Sequence, residues 1–272
     1  MIRALPLAFV KTTMTPSLPP EILDLIFNDL LDEPITLRAC CLVSKAWVSP
    51  SRRVIFACIE LDSAGSSIDS WTRAFPDPSS SPAHHARSLY IRDPGVTSAN
   101  VCSWISSFRH LRELSVNTFG WGGPRGISFV QLRGLSPTLR SLHLSGPGPP
   151  IPEILGLICS FPLLEDLSLY SEAFEGATDG WTTPSTSPKL TGSLRMKGEN
   201  RSLVRELLNL PDGLHFSKIR VEWRAQDDDS RTIMDLVSKC SDTLESLYLE
   251  YHSSSTFHLV SAADQFLTPR YP

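Results

Sequence analysis

The side chains of this sequence best suited to bind a charged group form a cationic cluster in its second half. Four Arg and Lys residues lie in two neighbouring segments, with one tyrosine before them and one after: Tyr170, Arg195, Lys197, Lys218, Arg220 and Tyr248. Such cations donate charge-assisted hydrogen bonds to carboxylates and phosphates. We take these six residues as a candidate site for an acidic group on a bound segment. The alternative is that they are solvated charges that discourage strand pairing between chains.

Sequence patterns typical of catalysis or metal binding are missing. The chain has no P-loop, no H-E-x-x-H, no G-x-S-x-G and no G-x-G-x-x-G after a strand. The pair His84-His85 lies in a Pro- and Ser-rich loop, and the six cysteines show no C-x-x-C spacing. The run Asp227-Asp228-Asp229 precedes a helical pattern, where acids favour the helix N-terminus. We expect no catalytic residue, no metal and no cofactor.

Length and composition are ordinary for a globular protein. The 272 residues suffice for one large or two modest domains, and 41% of them are hydrophobic. A formal net charge of −4 predicts no attraction to nucleic acid or to an anionic membrane surface. The early apolar run at residues 4–10 is interrupted by Pro6, which argues against a signal peptide. No later stretch approaches the ~20 apolar residues of a membrane span, so we expect a cytoplasmic or nuclear protein.

The amino-terminal segment carries more apolar side chains than a unit of its size can bury. Pro19 and Pro20 suit the first turn of a helix. The apolar residues that follow recur at helical spacing and are Ile22, Leu23, Ile26, Phe27 and Leu30. Pro34 can open a second helix, whose apolar residues are Leu37, Cys40, Cys41, Val43 and Trp47. Two or three helices within about 35 residues gain too little from their own core to stand alone, so we expect another protein to cover this face.

This segment, residues 18–50, resembles an F-box. The match rests on a Leu-Pro start, a Glu two positions on, an Ile-Phe pair and a closing Val-Ser-x-x-Trp: Leu18, Pro19, Glu21, Ile26, Phe27, Leu30, Val43, Ser44 and Trp47. The resemblance implies docking onto the Skp-type adaptor of a cullin-RING ubiquitin ligase. The implied adaptor contacts are Leu18, Pro19, Ile22, Ile26, Phe27, Leu30, Leu37, Val43 and Trp47. Phe27 and Leu30 are the expected central anchors, whereas Trp47 could instead brace the inner side of the unit.

The remainder of the chain repeats the pattern apolar-x-x-apolar-x-apolar. Its middle apolar positions follow one another at steps of 30, 25, 28, 25, 27, 25 and 28 residues: Ile59, Leu89, Leu114, Leu142, Leu167, Leu194, Ile219 and Leu247. Helical patterns lie between several copies, in SANVCSWISSF, IPEILGLICSF, RSLVRELLNL and SRTIMDLVSKC. A short strand and a helix repeated every 25 to 30 residues resemble a leucine-rich repeat. The usual Asn or Cys position of that repeat is not kept, which leaves its subclass open.

The repeat predicts an α/β fold with parallel strands on one side and helices and loops on the other. Because side chains alternate along a strand, the residues between the apolar positions must face outward. From the second strand onward these outward rows include Ser88-Tyr90-Arg92, Glu113-Ser115-Asn117, Ser141-His143-Ser145 and Asp166-Ser168-Tyr170. The cationic cluster lies on the rows that follow. The repeat thus predicts one polar face that holds the candidate site.

Together these features predict four segments. A flexible lead covers residues 1–17, the F-box 18–52, a leucine-rich-repeat-like solenoid 53–252, and an irregular tail 253–272. The whole resembles a fungal-type F-box protein with degenerate leucine-rich repeats, which implies a non-enzymatic substrate adaptor of a ubiquitin ligase with an unknown protein target. The main alternative is a leucine-rich-repeat scaffold whose helical front is only a cap. A hydrolase or transferase is a third class.

Overall fold

The computed structural model describes residues 18–61, 68–77, 79–92, 107–117, 129–146, 150–173, 186–224, 229–252 and 257–258. The chain divides into two units, Met1–Ile55 and Phe56–Pro272. The boundary predicted after residue 52 lies inside a helix that continues to Ile55. The predicted lead and almost all of the predicted tail lie outside the described residues.

The described part of the first unit, residues 18–55, contains three helices. They are α1 (Pro20–Asp29), α2 (Pro34–Val43) and α3 (Lys45–Ile55). Pro20 and Pro34 stand in the first turns of α1 and α2, where a missing N–H costs no helical hydrogen bond. Ser44 is extended between α2 and α3, and its hydroxyl accepts a hydrogen bond of 3.2 Å from the backbone N–H of Ala46. That bond satisfies one of the donors that the start of α3 leaves free.

The core of this helical unit is small. Leu23 and Phe27 from α1 meet Leu37 and Cys40 from α2, and all four side chains are buried. The partly buried residues packed against them are Leu30, Trp47, Val54 and Ile55. The spacing of Leu23, Phe27 and Leu30 places them on one face of α1, which is therefore its inner face.

The second unit is built on one nine-stranded sheet whose strands lie in chain order. The strands are β1 (Cys58–Leu61), β2 (Ser88–Ile91), β3 (Glu113–Asn117), β4 (Ser141–Ser145), β5 (Asp166–Ala173), β6 (Ser193–Glu199), β7 (Lys218–Arg224), β8 (Ser246–His252) and β9 (Phe257–His258). The first eight are parallel, and β9 pairs antiparallel with β8. The sequence pattern did not predict β9.

The register of the parallel strands confirms the predicted repeat. Each middle apolar residue pairs with the middle residue of the next strand, which gives one row: Ile59, Leu89, Leu114, Leu142, Leu167, Leu194, Ile219 and Leu247. All of them except Leu247, which is partly buried, lie in the core. Because equivalent residues align across strands, every outward-facing position also forms a row that crosses the sheet.

Helices cover the apolar face of the sheet. They are α4 (Ile68–Ala74), a short 3₁₀ helix (Pro82–His85), α5 (Phe129–Leu132), α6 (Ile151–Ile158), α7 (Arg201–Leu208) and α8 (Asp229–Lys239). Three of the four predicted helical segments are confirmed as α6, α7 and α8, and the first, SANVCSWISSF, lies almost wholly outside the described residues. The second unit is thus an α/β structure with eight parallel strands, compatible with a solenoid-like arrangement.

The opposite face of the sheet carries no helix in the described part of the chain. In β4, Leu142 and Leu144 are buried, whereas Ser141, His143 and Ser145 are partly exposed. The same alternation holds in β2 and β3, so the predicted outward rows are confirmed there. We call this surface the polar face. Gly146, which follows β4 with a φ of 103°, donates its N–H to the Tyr170 carbonyl at 2.8 Å and so ties the ends of β4 and β5.

Candidate functional site

The predicted adaptor contacts divide between the surface and the core of the helical unit. Leu18, Pro19, Ile22, Ile26 and Val43 are exposed. Leu30 and Trp47 are partly buried against the core. Because five predicted contacts are exposed, α1, the residues just before it and the end of α2 retain apolar surface that the core of the unit does not bury.

Phe27 and Leu37 require a correction. Phe27 is 0% exposed and Leu37 is 1% exposed, so both side chains fill the core and neither is free to touch a partner. The expectation that Phe27 anchors a partner does not fit this placement, because Phe27 lies on the inner face of α1. Trp47 contacts the Phe27 ring at right angles, as the bracing alternative predicted.

Four further apolar side chains of the helical unit are exposed and were missed by the sequence analysis: Leu25, Leu31, Ile35 and Leu42. Ile35 is 79% exposed and Leu42 is 89% exposed. They stand seven residues apart in α2 and therefore share one side of that helix. This spacing was the signal that could have identified them.

Exposed apolar side chains are concentrated in the helical unit. Of the twelve large hydrophobic residues that are exposed in the described part of the chain, eight lie there: Leu18, Ile22, Leu25, Ile26, Leu31, Ile35, Leu42 and Val43. The other four belong to the much longer second unit. Exposed apolar groups in such density are typical of surfaces that another molecule covers.

The polar face of the second unit holds a groove of about 410 Å³ across β2 to β6. Small serines form much of its lining, and larger polar side chains rise between them: Tyr90, Arg92, Glu113, Ser115, Ser141, His143, Asp166, Ser168, Ser193 and Arg195. Of the predicted cationic cluster, only Arg195 lines this groove. The groove is thus a candidate binding surface that begins beside the cluster and extends over the strands before it.

Two cations of the cluster share one carboxylate. Lys197 lies 3.3 Å from Glu222, and Arg220 lies 2.8 Å from it. Partial burial acts to raise the pKa of Glu222, but the hydrogen bonds from Arg220 and Lys197 outweigh it and hold that pKa below its usual value. Arg220 also lies over the Tyr248 ring, 4.7 Å from its centroid. These two cations are therefore partly neutralised within the face.

Arg195 and Lys218 differ from the other two cations. Neither has a carboxylate within ion-pair distance among the described residues. Lys218 is paired in register with Ser193, and Arg195 stands between Ser168 and Arg220. Their charge is thus available to a ligand.

The first half of the polar face carries the opposite charge. Glu113 accepts hydrogen bonds from the hydroxyls of Ser88 at 2.9 Å and Tyr90 at 3.1 Å. Burial and the neighbouring Glu113 raise the pKa of Tyr90 to about 12, so Tyr90 stays a neutral donor. Asp166 accepts from the N–H of Ser193 at 2.6 Å and from its hydroxyl at 2.8 Å. Hydroxyl and amide donors orient these two carboxylates without cancelling their charge.

Tyr170 and His143 lie together in this face. Their ring centroids are 4.9 Å apart. Tyr170 is also paired in register with Lys197, so it stands beside the cationic cluster as predicted. Burial is the main cause that lowers the pKa of His143, with Glu113 acting to raise it and Arg195 to lower it. At neutral pH the imidazole is therefore uncharged and adds little to the field of the groove.

In the described ranges, no three His, Cys, Asp or Glu side chains come together in a way that could hold a metal ion. No described helix combines the length and apolar character needed to cross a bilayer. The sequence of the chain matches no known family model and no curated protein.

Proposed function

We propose that this chain is the substrate-recognition subunit of a ubiquitin ligase of the Skp-cullin-F-box type. In this proposal the helical unit is an F-box that binds a Skp-type adaptor, and the second unit is a degenerate leucine-rich-repeat domain that binds a protein target. The observation that carries the proposal is the set of eight exposed apolar side chains in the helical unit. The resemblance of residues 18–50 to an F-box is the reason for proposing a Skp-type adaptor as the partner.

The exposed apolar groups support docking on energetic grounds. The inner face of α1, with Leu23 and Phe27, is buried, while Ile22, Leu25 and Ile26 lie on its exposed side. A helix that is apolar on both sides is stable in water only when a second surface covers it. Burying one such side chain contributes about 1.5–3 kcal/mol. A partner that covers several of them therefore gains enough free energy for stable association.

The chain itself makes and breaks no bond in this proposal. Its contribution to rate is proximity, because it holds a target near a conjugating enzyme that the adaptor brings. The polar face, with its charged rows, is the proposed target surface. A cytoplasmic or nuclear location follows from this role.

Co-purification with a Skp-type adaptor tests the proposal. The full chain, tagged and expressed with the adaptor, is expected to retain it. The Ile22→Ser, Ile26→Ser variant should lose the adaptor, because both substitutions remove exposed apolar area and leave the core untouched. Circular dichroism should show an unchanged helix content in that variant.

The matched control places the same kind of change outside the helical unit. Leu163→Ser, Met234→Ser removes two exposed apolar side chains of the second unit and should retain the adaptor. Failure of the wild-type chain to hold the adaptor would favour the scaffold alternative, in which the helical unit is only a cap. Equal retention by both variants would also contradict the proposal.

A further inference from the structure

We infer that the polar face binds an extended peptide segment whose basic residues lie over Glu113 and Asp166 and whose acidic residue lies over Arg195 and Lys218. The inference rests on the proposed function in one respect, since it names the class of target that the second unit would recruit. It is carried by a separation of charge along the face that the sequence analysis did not identify.

The described side chains of the polar face divide into two halves of opposite sign. The described side chains from β1 to β5 include three carboxylates on this face, Glu60, Glu113 and Asp166, against one guanidinium, that of Arg92 just after β2, which gives these residues a net charge of −2. Arg92 lies 3.0 Å from Glu60, so this pair cancels and the excess charge resides on Glu113 and Asp166.

On β6 to β8 the balance is reversed. Among the described side chains of these strands, four cations stand against Glu222 and Glu250, which gives those residues a net charge of +2: Arg195, Lys197, Lys218 and Arg220. Glu222 is taken up by Lys197 and Arg220. Arg195 and Lys218 have no carboxylate within ion-pair distance among the described residues, so they carry positive charge that the face does not neutralise. Arg195 lies on β6, next to the last strand of the acidic half, and Lys218 lies one strand further on.

The register sets the spacing between these charges. Glu113, Asp166 and Lys218 occupy one row that crosses the sheet, on β3, β5 and β7, with Ser141 and Ser193 between them. Neighbouring strands lie about 4.8 Å apart, so successive charges of this row are about 10 Å apart. An extended peptide rises about 3.3 Å per residue. A segment lying along the row thus meets a new charge about every three residues.

The groove, of about 410 Å³, has an uneven floor of small and large side chains. The serines at 115, 141, 168 and 193 leave low positions between Glu113, His143, Asp166 and Arg195, so side chains of a bound segment can enter beside each charged group. His143 is uncharged at neutral pH and packs on Tyr170, which gives the centre of the groove a less polar surface.

Charge complementarity favours a protein segment over other ligands. A nucleic acid would be repelled by Glu113 and Asp166, because its phosphates recur along the whole strand. A small anion would use only Arg195 and Lys218 and would leave the acidic half unused. A segment with basic residues at one end and an acidic residue at the other matches both halves.

Selection from a displayed library of random peptides tests the inference on the full chain. Wild-type protein should enrich peptides that carry a basic residue about three to six positions from an acidic one. The Arg195→Glu, Lys218→Glu variant should select peptides that lack the acidic residue and gain basic ones. A peptide selected by the wild-type protein should bind this variant with a dissociation constant about tenfold higher than it shows for the wild type, measured by fluorescence anisotropy.

The control reverses two charges that lie away from the face. Arg205→Glu, Arg231→Glu places the same changes on exposed positions of α7 and α8 and should select the wild-type pattern. Enrichment of no peptide by the wild-type chain would overturn the inference. So would the same charge pattern among peptides from the wild type and from the Arg195→Glu, Lys218→Glu variant.

The two proposals fail independently. Peptide selection uses the chain without any adaptor, so the charge pattern can appear even if the helical unit binds no Skp-type protein. Conversely, the chain could retain the adaptor but enrich no peptide from the library. That result would leave the ligase proposal intact and would reject a target segment with basic residues at one end and an acidic residue at the other. The milder variant Arg195→Gln, Lys218→Gln guards against misfolding, and it should lose the acidic preference without gaining a basic one.

Discussion

The ring of Phe27 and the indole of Trp47 meet edge to face, with centroids 5.7 Å apart and an interplanar angle of 85°. This contact joins α1 to α3 within a core that, in the described residues, has only four buried hydrophobic side chains. Aromatic pairs of this geometry add about 0.5–1.5 kcal/mol beyond the area they bury. In so small a core, this pair is therefore a main source of stability for the helical unit.

Replacing Phe27 tests that role. Phe27→Ala should lower the free energy of unfolding of the helical unit by about 3–5 kcal/mol, because it removes a fully buried ring. Hydrogen exchange of the amides in α1 to α3 measures the change. Leu42→Ala, at a position 89% exposed, should change the unfolding free energy obtained from hydrogen exchange by less than about 0.5 kcal/mol. Equal protection in the two variants would show that Phe27 is not a core residue.

His143 predicts a pH dependence of stability. Its pKa in the folded chain lies below the ordinary 6.5, so the unfolded chain binds a proton first as the pH falls. Stability is therefore complete above pH 6.5 and is lost as the pH falls below it, until the folded state is protonated as well. Urea unfolding at several pH values should show this slope in the wild type. His143→Gln should flatten it, and an unchanged slope in that variant would assign the effect to other groups.

Glu222 predicts a second pH dependence of stability, which has a different cause. Its folded pKa lies below the ordinary 4.5, so the stability it contributes is present above that pH and is lost as the pH falls through the folded pKa. Glu222→Gln should cost about 1 kcal/mol or less near pH 7, because Lys197 and Arg220 are largely exposed. The difference from the wild type should disappear in strong acid. A difference that persists there would mean that packing, and not charge, carries the effect.

The Asp166 carboxylate of the polar face lies close against the backbone of Gly192. A Cβ at this position would lie 2.5 Å from Asp166 Oδ1 and 3.1 Å from the Glu165 carbonyl oxygen. Gly192→Ala should therefore displace the Asp166 carboxylate from Ser193 and cost about 1–3 kcal/mol in unfolding free energy. Gly134→Ala, whose added Cβ finds no contact closer than 3.6 Å, serves as the control. Equal stability of the two variants would show that Asp166 can move without loss.

The eight parallel strands could be predicted because the same apolar pattern recurs in the sequence every 25 to 30 residues. Each repeat places an apolar residue such as Leu142 or Leu167 at the same point of a strand, and the parallel register then aligns them. The short strand β9 carries no such pattern. Its pairing with β8 depends on a reversal of chain direction that the repeat does not encode.

The candidate sites were predicted less completely, for two physical reasons. Helical spacing identifies the apolar faces of α1 but not which one is inner. Phe27 was therefore expected at the surface although it is buried, whereas Ile22 is exposed as expected. The cationic cluster was identified by composition, whereas the neutralisation of Lys197 and Arg220 depends on side-chain reach to Glu222 across strands.

The central claim is that the exposed apolar side chains of the helical unit form an interface for a Skp-type adaptor. Titration calorimetry of the purified full chain with purified adaptor tests it most directly. The proposal predicts one-to-one binding with a negative heat-capacity change, the mark of buried apolar surface, and its loss in the Ile22→Ser, Ile26→Ser variant. An absence of binding by the wild type, or undiminished binding by the variant, would contradict it.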